Sequence, residues 1–600
     1  MSKPLISLCM IVKDEQDSLA RCLTSVKGIV DEMIVVDTGS SDTTINIARD
    51  FGCKVYQVPW NNDFSQARNV AMDKANGEWI LLMDADEELV EEDCRKVIGL
   101  THEDAEGYFF QVLSYIGEYA GSDVVSNLNL KLVRNCEQYR FIGAIHEQLA
   151  SVITRVNPEA KLRISDVRVY HYGYLRYNVE KQHKRQRNIA ILEEQLVRYP
   201  GEAFIMYNLG NEYFALGNYE KALNLYKEVL KDLNPHLGYA SKIYIQATLC
   251  LQRLGRYGEA LEIIQKGLKD FPKLTDLVYI KSDIYHQLGL YSQALRGFKQ
   301  CVDMGEAPLL YAFLLGVGGY RSYAAMGEIY EELKDYEMAY KHYLYALQQK
   351  PDFLEPIYRI GHILFLLLEP EQALNKLEQY FDSTANSKLI LADILFCEHR
   401  YDISIDYIEK AAQDIELSPK FLYLKAQCLM HLDRFEEAYR CLIDIPSDIP
   451  YYPAALKDIV WCFWMQQQWE DAEVAIYFME QQSLPSHIID VYKAFFAILK
   501  QSDAIQALSG GDESSREYEK IIFEILDRLL GFKRFELFER ALNLLNLIDS
   551  DDVLMQLGKL YYRYGYSVLA REELLRSIKA FEVYDGESLD MLKSLLGQKV

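Results

Sequence analysis

Short apolar runs alternate with amphipathic stretches over the first 90 residues, and several of the runs close on carboxylates. Residues 5–12 read as a buried strand followed by Lys13-Asp14-Glu15, and residues 33–37 as a second that ends in Asp37. Lys54 to Val58 is a short third strand, and Gly77 to Met83 is a fourth that runs into Asp84. After the first strand, Leu19, Cys22, Leu23 and Val26 recur at helical spacing. Thr43 to Arg49 opens another helix, with Ser41 or Asp42 as its N-cap. Strands that alternate with helices predict a parallel, doubly wound sheet. Ligands of such sheets sit beyond the carboxyl ends of the strands, where Asp37 and Asp84 fall.

From about residue 200 the pattern becomes purely helical and repeats. An aromatic residue is followed three positions later by a small one at Tyr219…Ala222, Tyr257…Ala260, Tyr291…Ala294 and Tyr336…Ala339. The series continues through Ala373, Tyr401…Ser404, Phe435…Ala438 and Trp469…Ala472. The small residues are spaced 38, 34, 45, 34, 31, 34 and 34 apart. A recurring 34-residue step of paired helices is the period of the tetratricopeptide (TPR) repeat. Residues 501–517, with Ser509-Gly510-Gly511, break the pattern and read as a linker. A last repeat-like stretch carries Leu557-Gly558, Tyr561 and Ala570.

Composition narrows the class. Six hundred residues exceed one ordinary core, so two or more domains are expected. No run of 18 uncharged apolar residues exists, and the start lacks the apolar core of a signal peptide, so no membrane span and a cytoplasmic setting are expected. Eleven scattered cysteines without a Cys-x-x-Cys pair read as reduced core residues. A net charge of −25 argues against binding nucleic acid through bulk charge. One local basic cluster, Lys181 to Arg187, stands against that background.

Four stretches then carry the chemistry. They are Ser7 to Glu15, Val35 to Asp42, Phe64 to Asn69 and Leu82 to Glu87. In an extended segment, Asp84 and Asp86 point the same way and face one pocket. Alone, the run Asp84 to Glu88 also reads as the acidic N-cap of a following helix. Asp37 also reads as a turn residue, and Arg68 as a surface arginine. In their order and wording the four stretches resemble family 2 glycosyltransferases of the GT-A fold, over roughly the first 175 residues.

That resemblance implies a divalent cation (Mn²⁺ or Mg²⁺) and a UDP-sugar donor. It implies Asp86 as metal ligand, Asp84 and Ala85 beside the sugar, and Asp37 on the uracil ring. Met10, Val12 and Glu15 would meet the nucleotide, although Asp14 stands where the family more often has Asn. Arg68 and Asn69 match its Ala-Arg-Asn element, with the arginine on a phosphate or bracing the Asp-x-Asp loop. Gly143-Ala144-Ile145-His146-Glu147 resembles the segment of TPR-bearing peptide glycosyltransferases and lipopolysaccharide-core enzymes that supplies the base, Glu147 or His146. A buried His–Glu pair is the plainer reading there. His171, among Tyr170, Tyr172 and Tyr174, is either a further metal ligand after the sheet or a packed core histidine.

The expected organisation is a GT-A domain over 1–178, a linker helix over 179–200, a TPR solenoid over 201–500, the linker at 501–517 and a capping bundle over 518–600. The expected activity is inverting transfer of a sugar to a peptide or protein held in the TPR groove, with self-association through the repeats. The competing readings are a cell-envelope glycan transferase whose repeats only dock or dimerise it, and a TPR scaffold with an inactive transferase domain.

Overall fold

A computed structural model describes residues 4–117, 123–145, 147–175, 180–447, 449, 451–482, 484–500 and 512–597. The chain divides into two compact units, Met1–Ile360 and Gly361–Val600.

The first unit opens with an α/β layer. Its strands are β1 (Ile6–Val12), β2 (Glu32–Asp37), β3 (Lys54–Gln57), β4 (Trp79–Leu82), β5 (Glu87–Leu89), β6 (Gly107–Gly117), β7 (Asp123–Arg134) and β8 (Leu162–Leu175). They form one sheet in the order β3-β2-β1-β4-β7-β6-β8-β5. The parallel, doubly wound expectation holds for β3-β2-β1-β4. The other half is mixed, because β7 runs antiparallel to both β4 and β6, while β8 is parallel to β6 and antiparallel to β5. The helices of this layer are α1 (Leu19–Val26), α2 (Thr44–Asp50), α3 (Phe64–Asp73), α4 (Cys94–Leu100) and α5 (Ala150–Val156).

Period-two alternation sends β1 into two cores. Ile6, Leu8, Met10 and Val12 pack with Leu19, Cys22, Leu23 and Val26 of α1. Cys9 packs on the other face with Ile34, Val36, Ile80, Leu82 and the Ala71 and Met72 of α3. Both faces of the parallel half are therefore covered, as parallel sheets require. The N-cap of α2 is Thr43 and not the expected Ser41 or Asp42, although Asp42 Oδ1 accepts the Thr44 N–H at 2.9 Å just ahead of the helix.

A long helix follows, α6 (Glu180–Arg198), and then four antiparallel pairs complete the described part of the unit. These are α7 (Ala203–Ala215) with α8 (Tyr219–Lys231), α9 (Ala240–Arg253) with α10 (Tyr257–Asp270), α11 (Thr275–Gln287) with α12 (Tyr291–Met304), and α13 (Tyr320–Glu332) with α14 (Tyr336–Gln349). Each aromatic anchor of the sequence pattern is the first residue of a second helix, at Tyr219, Tyr257, Tyr291 and Tyr336. Each partner alanine, Ala222, Ala260, Ala294 and Ala339, is fully buried. The small side chain lets the two helices of a pair approach closely.

Glycine does the same one turn deeper. A Cβ on Gly327 would stand 2.6 Å from the ring of Tyr343, itself fully buried and hydrogen-bonded through its hydroxyl to Glu331 at 2.8 Å. In an open helix Gly→Ala stabilises by roughly 0.5–1 kcal/mol. Here overpacking reverses the sign, so Gly327→Ala is expected to cost about 1–3 kcal/mol, read as a lowered melting temperature. A variant that melts at or above the wild-type temperature would show that the helix pair can open at no cost.

The 45-residue step has a structural cause. The stretch between α12 and α13 forms a loop that reaches back to the sheet. Ser126 N–H donates to Phe313 O at 2.9 Å, and Val125 forms an isolated antiparallel bridge with Leu314. Buried Asp276 of α11 fixes the loop by accepting the N–H groups of Phe313 and Leu314 at 3.0 and 2.6 Å. Lys242 of α9 donates to Asn127 Oδ1 at 2.5 Å beside it. The α/β layer and the first repeats are thus tied by backbone as well as side-chain bonds.

In the second unit the pattern continues. Tyr401, Phe435 and Trp469 again open helices, and Ser404, Ala438 and Ala472 are fully buried. Its core centres on Trp461, Trp464, Tyr492 and Phe495, with a buried ion pair between Arg528 and Asp458. Residues 501–511 lie outside the described residues. From Asp512 the chain is helical to Gly531, so the expected linker ends earlier than 517. Its 512–517 part is rich in Glu, Ser and Arg, and those residues are accommodated on a helix whose apolar face begins at Tyr518, Ile521 and Ile522.

Candidate active site

The site forms where β1, β2 and β4 end. After Val12 the chain turns through Asp14, whose φ of +52° is a left-handed conformation. Asp and Asn are the side chains that tolerate it best, which accounts for an Asp where the resembling family more often has Asn. The Asp14 carboxylate accepts the Ser41 N–H at 2.7 Å, and Glu15 N–H donates to Thr44 Oγ1 at 2.7 Å. These bonds latch the β1–α1 and β2–α2 loops together.

Beyond β4 stands Asp84. Arg68 of α3 reaches it with one N–H at 2.8 Å and donates its Nε–H to Glu147 Oε1. Lys131 of β7 lies 3.9 Å from the other Asp84 oxygen. Burial pushes the Asp84 carboxyl up, but Arg68 and Lys131 outweigh it and hold the group well below the usual carboxylate range. Lys131 itself pairs with Glu87 at 2.6 Å, the two side chains being 6% and 2% exposed. Glu87 also accepts the Asp84 N–H at 2.9 Å, so this buried pair fixes the backbone of the Asp84-Ala85-Asp86 turn. The turn leads into strand β5, which removes the helix N-cap reading of the acidic run.

Asp86 faces β8. Its backbone carbonyl accepts the Tyr172 N–H at 3.1 Å, and its Oδ2 lies 3.4 Å from His171 Nε2. His171 Nδ1 is 3.1 Å from Ser114 Oγ of β6. His171 was expected after the sheet; it lies within it, paired with Glu87 and Ser114 across the β5–β8–β6 ladders.

A cavity of about 660 Å³ gathers these groups. Of the residues expected from sequence it brings together Val12, Glu15, Arg68, Asp84, Ala85, Asp86 and His171. Met10 is one residue pair deeper, in the β1–α1 core. Asp37 is fully buried, and its carboxylate accepts the N–H groups of Gly39 at 3.1 Å and Ser40 at 3.2 Å, an arrangement that closes its own turn. Asn69 clamps Phe141 by a two-way pair, donating to its carbonyl at 3.0 Å and accepting its N–H at 2.8 Å. Glu147 sits behind Arg68. His146 lies outside the described residues.

Sequence reasoning missed the opposite wall. Trp60 and Phe64 line it with Arg187 and Asn188 of α6. The two rings meet edge to face at 4.7 Å, and the Arg187 guanidinium lies 5.6 and 5.4 Å from their centroids. Its signal was the basic cluster in an acidic chain. Among the described residues, no group of three or more His, Cys, Asp and Glu side chains converges on one point.

Family comparison places this constellation. The model for Glycosyl transferase family 2 matches residues 7–150, and tetratricopeptide repeat models match 203–231 and 320–353. The chain belongs to the family 2 glycosyltransferases that carry TPR repeats. A TPR repeat-containing protein of Synechococcus elongatus is 33% identical to this glycosyltransferase over 310 residues, 51% of this chain and 73% of that one. The SPbeta prophage-derived glycosyltransferase SunS of Bacillus subtilis is 29% identical over 291 residues, 47% of this chain and 67% of that one. A glycosyltransferase of Rickettsia typhi is 44% identical over 87 residues, 14% of this chain and 30% of its own. The glycosyltransferase has no helix, among the described residues, long and apolar enough to cross a membrane.

Proposed function

We propose that this glycosyltransferase moves a sugar from a nucleoside-diphosphate-sugar, UDP-linked, to a peptide or protein acceptor, with inversion and with a divalent cation. The observation that carries the reading is the pairing of Asp86 with His171 at the mouth of the 660 Å³ cavity, beside an Asp84 locked by Arg68. Carboxylate and imidazole are a donor set that Mn²⁺ accepts. Two protein ligands suit an ion that takes its remaining ligands from water and a diphosphate, as Mg²⁺ commonly does. Asp86 and His171 would hold the ion, which neutralises charge on the departing diphosphate when bound. Asp84 stays with Arg68 and orients the sugar. The helical pairs offer the extended surface on which solenoid repeats bind chains, which supports a peptide acceptor.

The test is incubation of the full chain with a panel of UDP-, GDP- and dTDP-sugars and Mn²⁺, reading nucleoside diphosphate release with and without peptides. Release that rises with peptide and needs Mn²⁺ is expected. Release stimulated only by a glycan or lipid acceptor would move the acceptor class, and no release with any donor would leave an inactive scaffold.

Glu147 acts in this reading as the brace of Arg68. Glu147→Gln keeps an acceptor for the Arg68 N–H and is expected to retain transfer within a few-fold. Glu147→Ala is expected to lose transfer about 10- to 100-fold together with nucleotide affinity. A Gln variant dead in transfer but normal in nucleotide binding would make Glu147 the base.

A further inference from the structure

The cavity holds more carboxylate than it can offer to a diphosphate. Asp14, Glu15, Asp84 and Asp86 line it. Of the cations that face it, Arg68 is committed to two carboxylates and Lys13 is exposed to solvent. Arg187 differs from both. Among the described residues no carboxylate pairs with it, and its Nε is buried without a hydrogen-bond partner. Among the described residues its hydrogen bond is to the neighbouring Asn188 Oδ1, at 3.4 Å.

Aromatic faces and the seating of α6 hold this guanidinium in place, and the carboxylate nearest in influence, Glu212, is bonded to Arg185 and Asn188. Trp60 and Phe64 lie under it. The helix that carries it is seated on the first repeat, where buried Glu212 of α7 accepts from Arg185 at 3.0 Å and from Asn188 at 3.0 Å. Leu192 of α6, Leu209 of α7 and Ile145 pack together below, with Phe64 against them. A half-buried arginine, oriented by aromatic faces and without an ion pair among the described residues at the wall of a cavity, is suited to a planar, two-pronged contact with phosphate oxygens. Burial holds its pKa down, against an opposing pull from the Glu212 carboxylate that does not reach ion-pair distance.

We propose that Arg187 binds the diphosphate of the donor, so that a residue of α6, beyond the 7–150 family 2 segment, completes the nucleotide site. The inference rests on the donor reading given above. UDP, GDP and dTDP are titrated into the full-length protein with Mn²⁺ present, and the tightest is carried to the variants with its parent nucleoside as control. Arg187→Ala is expected to weaken the nucleoside diphosphate about 10- to 100-fold, the worth of a lost charge-assisted contact, and to change nucleoside affinity less than twofold. Arg187→Lys restores part of the loss, because the charge returns without the fork. Arg187→Gln repeats the loss and stands in for the alanine variant should that one melt early. Unchanged diphosphate affinity in both variants, or an equal loss for the nucleoside, overturns the proposal. Wild-type protein that binds none of the three diphosphates overturns the donor reading first, and this inference with it.

Discussion

Replacing Asp86 by alanine is expected to cut sugar transfer about a thousandfold and leave the melting temperature unchanged. The side chain is 33% exposed and makes no part of either core of the sheet, so its removal costs little in packing. In the function proposed above, it removes one of the two donors for an ion that would offset leaving-group charge. Charge stabilisation by a bound metal is worth several kcal/mol in the transition state, and about 4 kcal/mol corresponds to a thousandfold in rate. The measurement is kcat/KM with Mn²⁺ titrated, beside a thermal melt. Activity within a few-fold of wild type would end the assignment of Asp86 as ligand. Loss of activity with a large drop in melting temperature would assign it to structure instead.

Lys131→Met is expected to produce the largest loss of stability of any single change at the site, about 3–5 kcal/mol. Lys131 and Glu87 meet at 2.6 Å with almost no solvent. Deleting the cation leaves a buried carboxylate beside Asp84 without its cation, held only by the Asp84 N–H. The double variant Lys131→Met with Glu87→Leu is expected to recover most of that loss, because replacing both members of a buried pair by apolar groups is often near neutral. Its transfer activity should nonetheless stay low, since Glu87 also holds the Asp84 N–H. Denaturant unfolding of the four proteins in the cycle gives the coupling directly. A single variant that loses less than 1 kcal/mol would show that the pair does not hold the turn.

The parallel half of the sheet was legible because its strands are buried on both faces and read as continuous apolar runs between helices. The mixed half was not assigned to strands, although Asn127 to Leu132 alternates and Tyr108 to Ile116 is apolar apart from Gln111 and Ser114. That signal is weak beside an Asp-rich motif, and His171 was therefore placed after the sheet when it lies in β8. The repeat anchors were legible residue by residue, since a 34-residue step is a strong constraint and each anchor sits at a helix start. Of the site, the residues fixed by local chain geometry were found: Val12, Glu15, Arg68, Asp84, Ala85, Asp86 and His171. Trp60, Phe64, Arg187 and Asn188 were missed because they meet only when α6 folds back on the sheet. Apart from the basic cluster at Lys181 to Arg187, local sequence carries no trace of that distant packing. Asp37 and Asn69 form hydrogen bonds with backbone, Asp37 within its own turn and Asn69 with Phe141.

The loop between α12 and α13 bonds to Val124–Ser126 at the end of β7. On the ribosome this order has a timing. Chains grow at roughly 5–20 residues per second, so some 10 to 40 seconds separate the emergence of β7 from that of Phe313. During that interval one side of the strand end is an open hydrogen-bonding edge, the kind of surface on which nascent chains mispair. The strand end therefore gains its last partner only after the sheet's own cores are complete, and chaperone dependence should fall for chains arrested beyond residue 320.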